Sequence, residues 1–325
     1  MNILQELIIN KNDDGQRLDR FLLKYLSEAP RGFVFKMLRK KNIKLNGSKA
    51  KPEDLVYDGD KIQLYLGDDT IEKFKGKIDI NKISMDLRVI YEDENIICVN
   101  KMAGILSHSS ENNREKNIVD GIVNYLIAKG DYNPRLEHNF IPGICNRLDR
   151  NTSGVILGGK NYESMKNLNQ SMREYRIARF YRTIVVGRLE EPIELVDYIV
   201  KDEKKNKVSL AASNVEGAKK IVTRIRPLKT NGDYTLLEIE LITGRTHQIR
   251  VHLSSIGHPI IGDRKYGRAG INKIFRDKYS LEDQFLHGYR LEFLDPVGNL
   301  AYLKGREIIA ESHGDMKKIE EDLFK

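Results

Sequence analysis

Residues 144–157 read ICNRLDRNTSGVIL and place a short polar segment between two apolar runs. The apolar runs predict strands, and Gly154 closes the polar turn between them. Asp149 stands in this turn, and loops held between strands commonly carry the chemistry of a protein. Because an Asp flanked by arginines is more often a surface ion pair, the loop by itself leaves both interpretations open.

Strand-like and helical runs alternate around this turn from Leu87 onward. The strand-like runs lie at 89–91, 96–99, 155–157, 181–186, 236–242 and 289–293, and the helical runs lie near 118–128 and 162–172. No fixed repeat period connects them. The pattern predicts an α+β fold in which residues 86–310 form one large domain with a mixed, mainly antiparallel sheet and flanking helices.

A smaller unit precedes the large domain. Apolar residues at helical spacing predict helices over 16–26 and 31–41, and the turn pairs Asn46-Gly47 and Asp58-Gly59 predict a hairpin region after them. We therefore assign residues 1–66 to a small helix-helix-hairpin domain. The polar residues 67–85 are predicted to be a linker, and residues 311–325 a charged C-terminal tail that forms a short exposed helix.

The segment 31–51 is strongly basic and contains no acidic residue. Clustered ammonium and guanidinium groups attract phosphates, with an affinity that falls as salt rises. A run of like charges is also common on a merely solvated helix face, so the composition leaves both interpretations open. The basic residues of the segment are Arg31, Lys36, Arg39, Lys40, Lys41, Lys44, Lys49 and Lys51.

The charge balance limits the class of partner. The 325 residues include 55 Lys and Arg against 47 Asp and Glu, a net charge of +8. This excess favours nucleic acid as the partner, with an anionic membrane surface as the competing choice. No apolar run approaches the roughly 20 residues that span a bilayer, so no membrane segment is expected. With Cys98 and Cys145 among apolar neighbours and no signal-peptide pattern at the N-terminus, we expect a protein of the reducing cytoplasm.

The N-terminal segment 13–66 matches a known RNA-binding pattern. Residues 17–22 read RLDRFL, a basic second helix follows, and residues 43–47 and 56–62 read IKLNG and VYDGDKI. This order resembles the S-four-type RNA-binding domain of ribosomal and RNA-modifying proteins. The resemblance implies that the basic face grips structured RNA, while Asp19 in the first RLDR motif is structural.

Four further blocks resemble a family of RNA-modifying enzymes. Besides 144–157, residues 92–108 read EDENIICVNKMAGILSH, residues 179–187 read RFYRTIVVG, and residues 243–267 read TGRTHQIRVHLSSIGHPIIGDRKYG. In this order the blocks resemble the motifs of the RluA/RluC/RluD-type pseudouridine synthases. The resemblance implies an isomerase that converts uridine to pseudouridine in structured RNA, with large-subunit ribosomal RNA as the expected substrate.

The resemblance also assigns a catalytic set. Asp149 would act on the ribose-base unit as an anion, and its role as nucleophile or as the base for a ribose proton stays open. Arg250 would keep the carboxylate charged, since a nearby permanent cation favours the ionised form. Tyr181 would stack on the flipped uracil and assist proton removal at carbon 5. Because the isomerisation conserves every atom, no metal, nucleotide or redox cofactor is expected.

Three cations are assigned to the RNA near this site. Arg147 is expected to fill the space that the flipped base leaves or to hold a phosphate, and Arg245 and Lys101 are further phosphate candidates. The expected protein is a monomer.

Two residues depart from the family pattern: Asn146 stands where a His is usual, and Met102 where a Pro is common. These departures support a second hypothesis, a non-catalytic RNA-binding or ribosome-assembly factor with the same fold.

Other chemistries have weaker support in the sequence. His247, His252 and His258 are spaced by five and six residues, which differs from the i, i+4 pair of metal-binding helices. The chain lacks the Gly-x-Ser-x-Gly motif of serine hydrolases. Cys145 follows an apolar run and is interpreted as a packing residue. No metal site is therefore predicted.

Overall fold

The computed structural model describes residues 3–75, 85–109, 115–134, 140–202 and 207–325. Two units share the chain. The N-terminal unit comprises residues 3–75, and the large unit comprises the described residues from 85 onward. The elements of the N-terminal unit are β1 (Ile3–Ile8), β2 (Gln16–Arg17), α1 (Leu18–Tyr25), α2 (Arg31–Arg39), β3 (Ile43–Leu45), β4 (Ser48–Lys49), β5 (Leu55–Val56), β6 (Lys61–Leu66) and α3 (Asp68–Phe74), with one 3-10 turn at Lys11–Asp13.

The N-terminal unit packs two helices on a small sheet. The sheet has the order β1-β6-β3-β4, with all of its pairs antiparallel. The apolar stripe of α1 supplies the fully buried Leu18, Phe21 and Leu22, which pack with Val34 and Leu38 of α2. The basic residues between them on α2 are left on the outer side of the helix, as the 3.6-residue period requires.

The structure corrects the prediction for the segment after Gly67. Residues 68–74 form α3, whose Ile71 is 2% exposed and belongs to the core of the N-terminal unit. The ring of Phe74 lies 4.7 Å from that of Phe33 on α2. A seven-residue helix with a single buried Ile is too short to show a helical period, which is why the sequence indicated a linker. Residues 76–84 of the predicted linker lie outside the described residues.

The large unit contains one mixed sheet of eleven strands with helices packed against it. The sheet has the order β13-β12-β14-β15-β11-β16-β10-β8-β7, with β17 beside β16 and β9 beside β10. Its strands are β7 (Val89–Glu92), β8 (Ile96–Lys101), β9 (Gly143–Ile144), β10 (Ser153–Gly159), β11 (Ile177–Val186), β12 (Ile193–Asp202), β13 (Lys207–Ala211), β14 (Lys219–Thr230), β15 (Tyr234–Leu241), β16 (Leu286–Phe293) and β17 (Glu307–Ile309).

Parallel pairing occurs at one point among these strands, between β10 and β16, and the other registered strand pairs are antiparallel. The predicted mixed, mainly antiparallel α+β architecture is therefore present. The helices of this unit are α4 (Ile118–Lys129), α5 (Tyr162–Arg173), α6 (Gln248–Ser255), α7 (Ala269–Tyr279) and α8 (Gly314–Leu323), with a 3-10 segment at Gly298–Leu303.

The C-terminal segment is also more deeply packed than its charge indicated. Ile319 of α8 is fully buried, and it joins the main hydrophobic core together with Phe324. Asn231 Nδ2 donates a hydrogen bond to the carbonyl oxygen of Leu323 at 3.1 Å, which ties the end of the chain to the β14–β15 turn. The predicted short helix is present and mostly exposed, but one face of it is buried, because a few apolar side chains among many charges are enough to dock that face.

A close approach of two strands positions the Asp149 loop. Gly154 at the start of β10 has φ +123°, and a Cβ added there would lie 2.2 Å from the carbonyl oxygen of Gly288 on β16. Only glycine fits both the backbone conformation and the contact. Within the described ranges, no helix has the length and apolar character needed to cross a bilayer.

Candidate active site

Asp149 lies in the loop between β9 and β10, at the edge of the sheet. The loop is held from two sides: the carbonyl oxygen of Asp149 accepts a hydrogen bond from Thr152 N at 3.1 Å, and Ser107 Oγ bonds both backbone groups of Leu148, at 2.7 and 3.0 Å. The Asp149 side chain keeps 28% of its surface exposed. Its carboxylate is therefore held on a rigid loop and remains open to a ligand.

Asn146 also braces this loop. Its side-chain amide donates to the carbonyl oxygen of Val155 at 3.0 Å and accepts from Leu157 N at 2.7 Å, so both halves of the buried amide are paired with β10. Asn146 lies three residues before Asp149 and departs from the family pattern, yet its side-chain amide ties this loop to the backbone of β10.

Arg250 reaches Asp149 from α6. Its Nη1 donates to Asp149 Oδ2 at 3.2 Å, while its Nε and Nη2 donate to the two oxygens of Asp263 at 2.7 and 2.8 Å. Arg250 is 5% exposed and Asp263 is 1% exposed. The carboxylate of Asp263 therefore binds two nitrogens of the guanidinium group, and the third nitrogen, Nη1, bonds the carboxylate of Asp149.

The charges of this cluster support one another. Burial alone would raise the pKa of Asp263, but the hydrogen bonds and charge of Arg250 outweigh it and hold the pKa below its usual value. Burial lowers the pKa of Arg250, but Asp263 and Asp149 raise it by more than burial lowers it. The guanidinium therefore stays charged. Asp263 was not identified from the sequence, although it lies in the same block as Arg250. The sequence signal that could have identified Asp263 is the Gly-Asp-Arg stretch, residues 262–264.

The start of α6 explains how Arg250 comes to face the loop. Gln248 Oε1 accepts hydrogen bonds from Thr243 Oγ1 at 2.8 Å and Arg245 N at 3.1 Å, and its Nε2 donates to the carbonyl oxygen of Val222 at 3.0 Å. One buried side chain thus ties the helix start to β14. With α6 fixed in this way, the guanidinium two residues later is directed inward.

Tyr181 lies on β11 beside the same loop. It is 6% exposed, and a Cβ added to Gly288 on the neighbouring strand would lie 3.3 Å from its ring. Burial raises the pKa of Tyr181, Arg179 partly opposes this, and the negative charge of Asp149 raises it again. The hydroxyl therefore keeps its proton near neutral pH, which favours a role in stacking over a role as a base. Asp149, Tyr181 and Arg250 are thus brought together around one loop.

Two residues that the sequence analysis did not place in the site complete it. His247 Nε2 lies 3.8 Å from Asp149 Oδ2, and its Nδ1 lies 2.9 Å from the hydroxyl oxygen of Tyr266. The ring of Tyr266 also lies under the guanidinium of Arg250, 5.2 Å from ring centroid to guanidinium carbon. Both residues stand in the block 243–267, and His247 was considered there only as a possible metal ligand.

The three histidines of that block have separate partners. His252 Nδ1 lies 2.8 Å from Thr223 Oγ1, and His258 Nδ1 lies 2.9 Å from the carbonyl oxygen of Val186. Within the part of the chain that the structure describes, no three His, Cys, Asp or Glu side chains are grouped as metal ligands would be.

The structure corrects the prediction for Lys101. Its side chain is 1% exposed, and Nζ donates to the carbonyl oxygens of Met102, Ile105 and Arg150 at 2.8–3.0 Å. Burial lowers the pKa of Lys101 to about 7, against the opposing charge of Asp149. A buried ammonium group with three carbonyl partners has no donor left for a phosphate. Lys101 instead ties the residues after Asp149 to the end of β8.

Arg147 and Arg245 are both exposed, as an RNA contact requires. Arg147 stands two residues before Asp149, and its positive charge adds to burial in lowering the pKa of His108. Arg245 precedes α6 and uses its backbone N–H to bond Gln248, which leaves its guanidinium outside the helix. Both side chains therefore lie close in sequence to the elements that hold Asp149 and Arg250.

The basic face of the N-terminal unit forms a groove. Its cavity of about 380 Å³ is lined by Lys36, Arg39, Lys49 and Lys51, together with apolar residues that include Phe35, and no acidic residue takes part. The guanidinium of Arg31 lies 5.4 Å from the ring of Phe35. Four of the residues predicted to bind RNA lie outside the groove. Arg31, Lys40 and Lys41 are exposed, whereas Lys44 is half-buried against the ring of Tyr65.

Comparisons with known proteins point to one family. Residues 95–255 match the family model described as RNA pseudouridylate synthase. Ribosomal large subunit pseudouridine synthase D of Borreliella burgdorferi is 31% identical over 314 residues, which cover 94% of this chain and 89% of the relative. Ribosomal large subunit pseudouridine synthase C of Haemophilus influenzae is 29% identical over 298 residues, covering 89% and 87%.

A solved structure has the same fold. The human RNA pseudouridylate synthase domain containing 4 is superimposed with a TM-score of 0.55 at 19% identity, covering 73% of this chain and 92% of that chain. The matched family region contains Asp149, Tyr181 and Arg250, whereas Asp263 and Tyr266 lie just beyond its end.

Proposed function

Because this chain belongs to the RNA pseudouridine synthase family, whose members are isomerases, we propose that it converts uridine to pseudouridine in RNA with Asp149 as the reacting carboxylate. The observation that carries this proposal is the contact of 3.2 Å between Arg250 Nη1 and Asp149 Oδ2. Arg250 is itself fixed by the buried Asp263, so this contact places a permanent positive charge against the carboxylate of Asp149.

The reaction needs no group beyond the protein and the RNA. The bond from ribose C1′ to N1 breaks, a bond from C1′ to C5 forms, and the proton of C5 is replaced by one at N1. Asp149 starts the reaction either by attacking C1′ or by removing the ribose proton at C2′. In both cases the carboxylate is regenerated at the end, which agrees with its fixed place on the loop.

The uridine has to leave its stack before Asp149 can reach the ribose. Tyr181 provides the apolar surface for the everted ring, and base–aromatic stacking contributes about 1–3 kcal/mol per base. The raised pKa of Tyr181 keeps its hydroxyl a weak acid, so we propose stacking as its main role. Arg147, exposed at the same loop, is the candidate to occupy the vacated space or to hold a phosphate.

We propose large-subunit ribosomal RNA as the substrate, because the relatives named above carry that name. The basic groove of the N-terminal unit supports this choice, since it would hold phosphates outside the site that reacts. The order of elements in this unit favours an S-four-type RNA-binding domain. The competing hypothesis of a non-catalytic RNA-binding factor relied on Asn146 and Met102, and the paired amide of Asn146 removes much of that support.

The test is to map pseudouridine in ribosomal RNA from cells that lack this protein, before and after incubation with the wild type or with Asp149→Asn. We expect new pseudouridine with the wild type and a rate lower by roughly 10²–10⁴-fold or more with the variant, since the amide cannot act as base or nucleophile. The exposed Asp277→Asn is the matched control and should retain the wild-type rate. If wild type and Asp149→Asn both bind the RNA and leave it unmodified, the non-catalytic hypothesis is correct.

A further inference from the structure

His247 is held in an unusual conformation beside Asp149. It caps the start of α6 with a left-handed backbone, φ +55° and ψ 14°, which residues other than glycine seldom adopt. Its side chain is 9% exposed. The backbone at this position directs the imidazole under the Asp149 loop, where Nε2 lies 3.8 Å from Asp149 Oδ2.

The hydroxyl of Tyr266 determines which nitrogen of His247 carries the proton. This hydroxyl donates its only proton to the carbonyl oxygen of Val208 at 3.1 Å and accepts a hydrogen bond from Val208 N at 2.9 Å. Its remaining capacity is as an acceptor. With the hydroxyl proton directed to Val208, we assign the contact of 2.9 Å to His247 as a donation from Nδ1–H of the imidazole.

In the neutral imidazole, a proton on Nδ1 leaves Nε2 with a bare lone pair. That lone pair faces the oxygen of Asp149, and two acceptors without a proton between them cannot form a hydrogen bond. Uptake of one proton changes the contact into an imidazolium–carboxylate pair, which is attractive. His247 Nε2 and Asp149 Oδ2 are therefore placed to share one proton, and the resting enzyme does not carry that proton.

We propose that His247 is the proton-holding partner of Asp149: its Nε2 takes the proton that the carboxylate collects from the substrate. The inference rests on the proposed function. In the last step the C5–H bond breaks and its electron pair restores the uracil ring. The proton goes to Asp149 Oδ2, then to His247 Nε2, and from there to solvent as the product leaves, while N1 takes a proton from solvent. Tyr266 acts as the positioning residue of the imidazole.

The surroundings of His247 keep it ready to accept a proton. Burial lowers its pKa most, the charges of Arg250 and Lys265 lower it as well, and Asp149 and Asp263 raise it, with a net pKa below the usual value. The imidazole is therefore neutral near pH 7. The titratable and charged groups that face it are Asp149, Arg250, Asp263, Lys265 and Tyr266.

The first test compares His247→Gln with the control His258→Gln, a histidine whose Nδ1 lies 2.9 Å from the carbonyl oxygen of Val186. On a stem-loop substrate, kcat should fall roughly 10- to 100-fold for His247→Gln with little change in KM. The acid side of its kcat profile should move to lower pH, because the variant has no imidazole that must be unprotonated to accept the proton. An unchanged kcat and pH profile in an active enzyme would overturn this inference and leave the proposed function intact, whereas an inactive wild type would contradict both.

The second test concerns the positioning role of Tyr266. Tyr266→Phe removes the acceptor at Nδ1, so kcat should fall, and the double variant with His247→Gln should be no slower than His247→Gln alone. If kcat of the double variant falls by the product of the two single losses, the coupling between Tyr266 and His247 is refuted. As a readout without turnover, ¹⁵N shifts of His247 in the wild type should show a protonated Nδ1 and a bare Nε2, and the opposite tautomer would refute the proposal.

Discussion

At the scale of single residues, the site depends on how Arg250 is shared between two carboxylates. Asp263 is completely buried and accepts, in addition to the two guanidinium bonds, backbone hydrogen bonds from Lys265 N at 2.8 Å and Tyr266 N at 3.0 Å. Asp149 receives a single, longer bond. The tighter pair thus fixes the guanidinium, and the looser pair leaves the carboxylate that we propose to react able to engage a substrate.

Removing the charge of Asp263 should therefore damage both stability and turnover. Asp263→Asn leaves a buried guanidinium with one carboxylate, and we expect the free energy of unfolding to fall by about 3 kcal/mol. Because Arg250 then shifts toward Asp149, we expect kcat to fall about tenfold as well. Urea denaturation and single-turnover assays measure the two effects, and Asp277→Asn on the exposed face of α7 is the control. Equal effects of Asp263→Asn and Asp277→Asn would contradict the view that Arg250 is shared between Asp263 and Asp149.

At the scale of elements, the junction of β10 with β16 positions the loop that carries Asp149. His287 on β16 crosses this junction: its Nδ1 lies 2.8 Å from Ser153 Oγ, and its Nε2 lies 2.8 Å from the carbonyl oxygen of Ala310 beyond β17. Since Ala310 offers only an acceptor, Nε2 carries the proton and Nδ1 accepts from Ser153. The neutral imidazole therefore connects three consecutive parts of the sheet.

This arrangement predicts a loss of stability in acid. Burial lowers the pKa of His287 from 6.5 to about 4, while the carbonyl of Ala310 opposes the shift. Between these two values the unfolded chain binds a proton that the folded chain refuses, so stability present above pH 6.5 is lost as pH falls toward 4, by at most about 3 kcal/mol. His287→Gln should flatten this part of the profile in denaturation experiments from pH 4 to 7. The same slope in wild type and variant would rule out His287 as the source.

At the scale of the whole molecule, the N-terminal unit contacts the large unit at the start of α5. Asn12 Oδ1 accepts a hydrogen bond from Tyr162 N at 2.9 Å, and Lys24 Nζ lies 5.9 Å from the centre of the Tyr162 ring. The basic groove is lined by residues of α2 and by residues 49–52, and neither Asn12 nor Lys24 takes part in it. Binding of RNA and reaction are thus assigned to separate surfaces of one chain.

The separation predicts that affinity and chemistry can be altered independently. Replacing the groove cations Lys36, Arg39, Lys49 and Lys51 by Ala should weaken binding to long RNA and reduce the slope of log Kd against log salt by about 0.7–0.9 per lost phosphate contact. The kcat on a short stem-loop should stay unchanged. The control replaces four exposed lysines elsewhere, Lys166, Lys220, Lys273 and Lys318. Equal salt slopes for both variants would contradict the role of the groove.

The sequence by itself was sufficient for the local features. Alternating or periodic apolar residues predicted the strands around Asp149 and the helices α1, α2, α4 and α5, because these segments bury one clear face. It was insufficient for α3 and α8, where one or two buried side chains decide the packing, and for the strands β12 to β14. Few side chains of these three strands are buried, so their apolar pattern in the sequence is weak.

Only the tertiary structure decided which charges meet. Lys101 and Arg245 look alike as cations in the sequence, yet one is enclosed by three carbonyl oxygens and the other is exposed. Asp263 and Asp149 are both acids near arginines, and only the fold buries one in two bonds to Arg250 and leaves the other partly exposed with one. The reason is physical: the pattern of residues determines which segments fold, but burial and hydrogen-bond partners depend on how those segments meet, as Asp149 and Arg250 do across 101 residues.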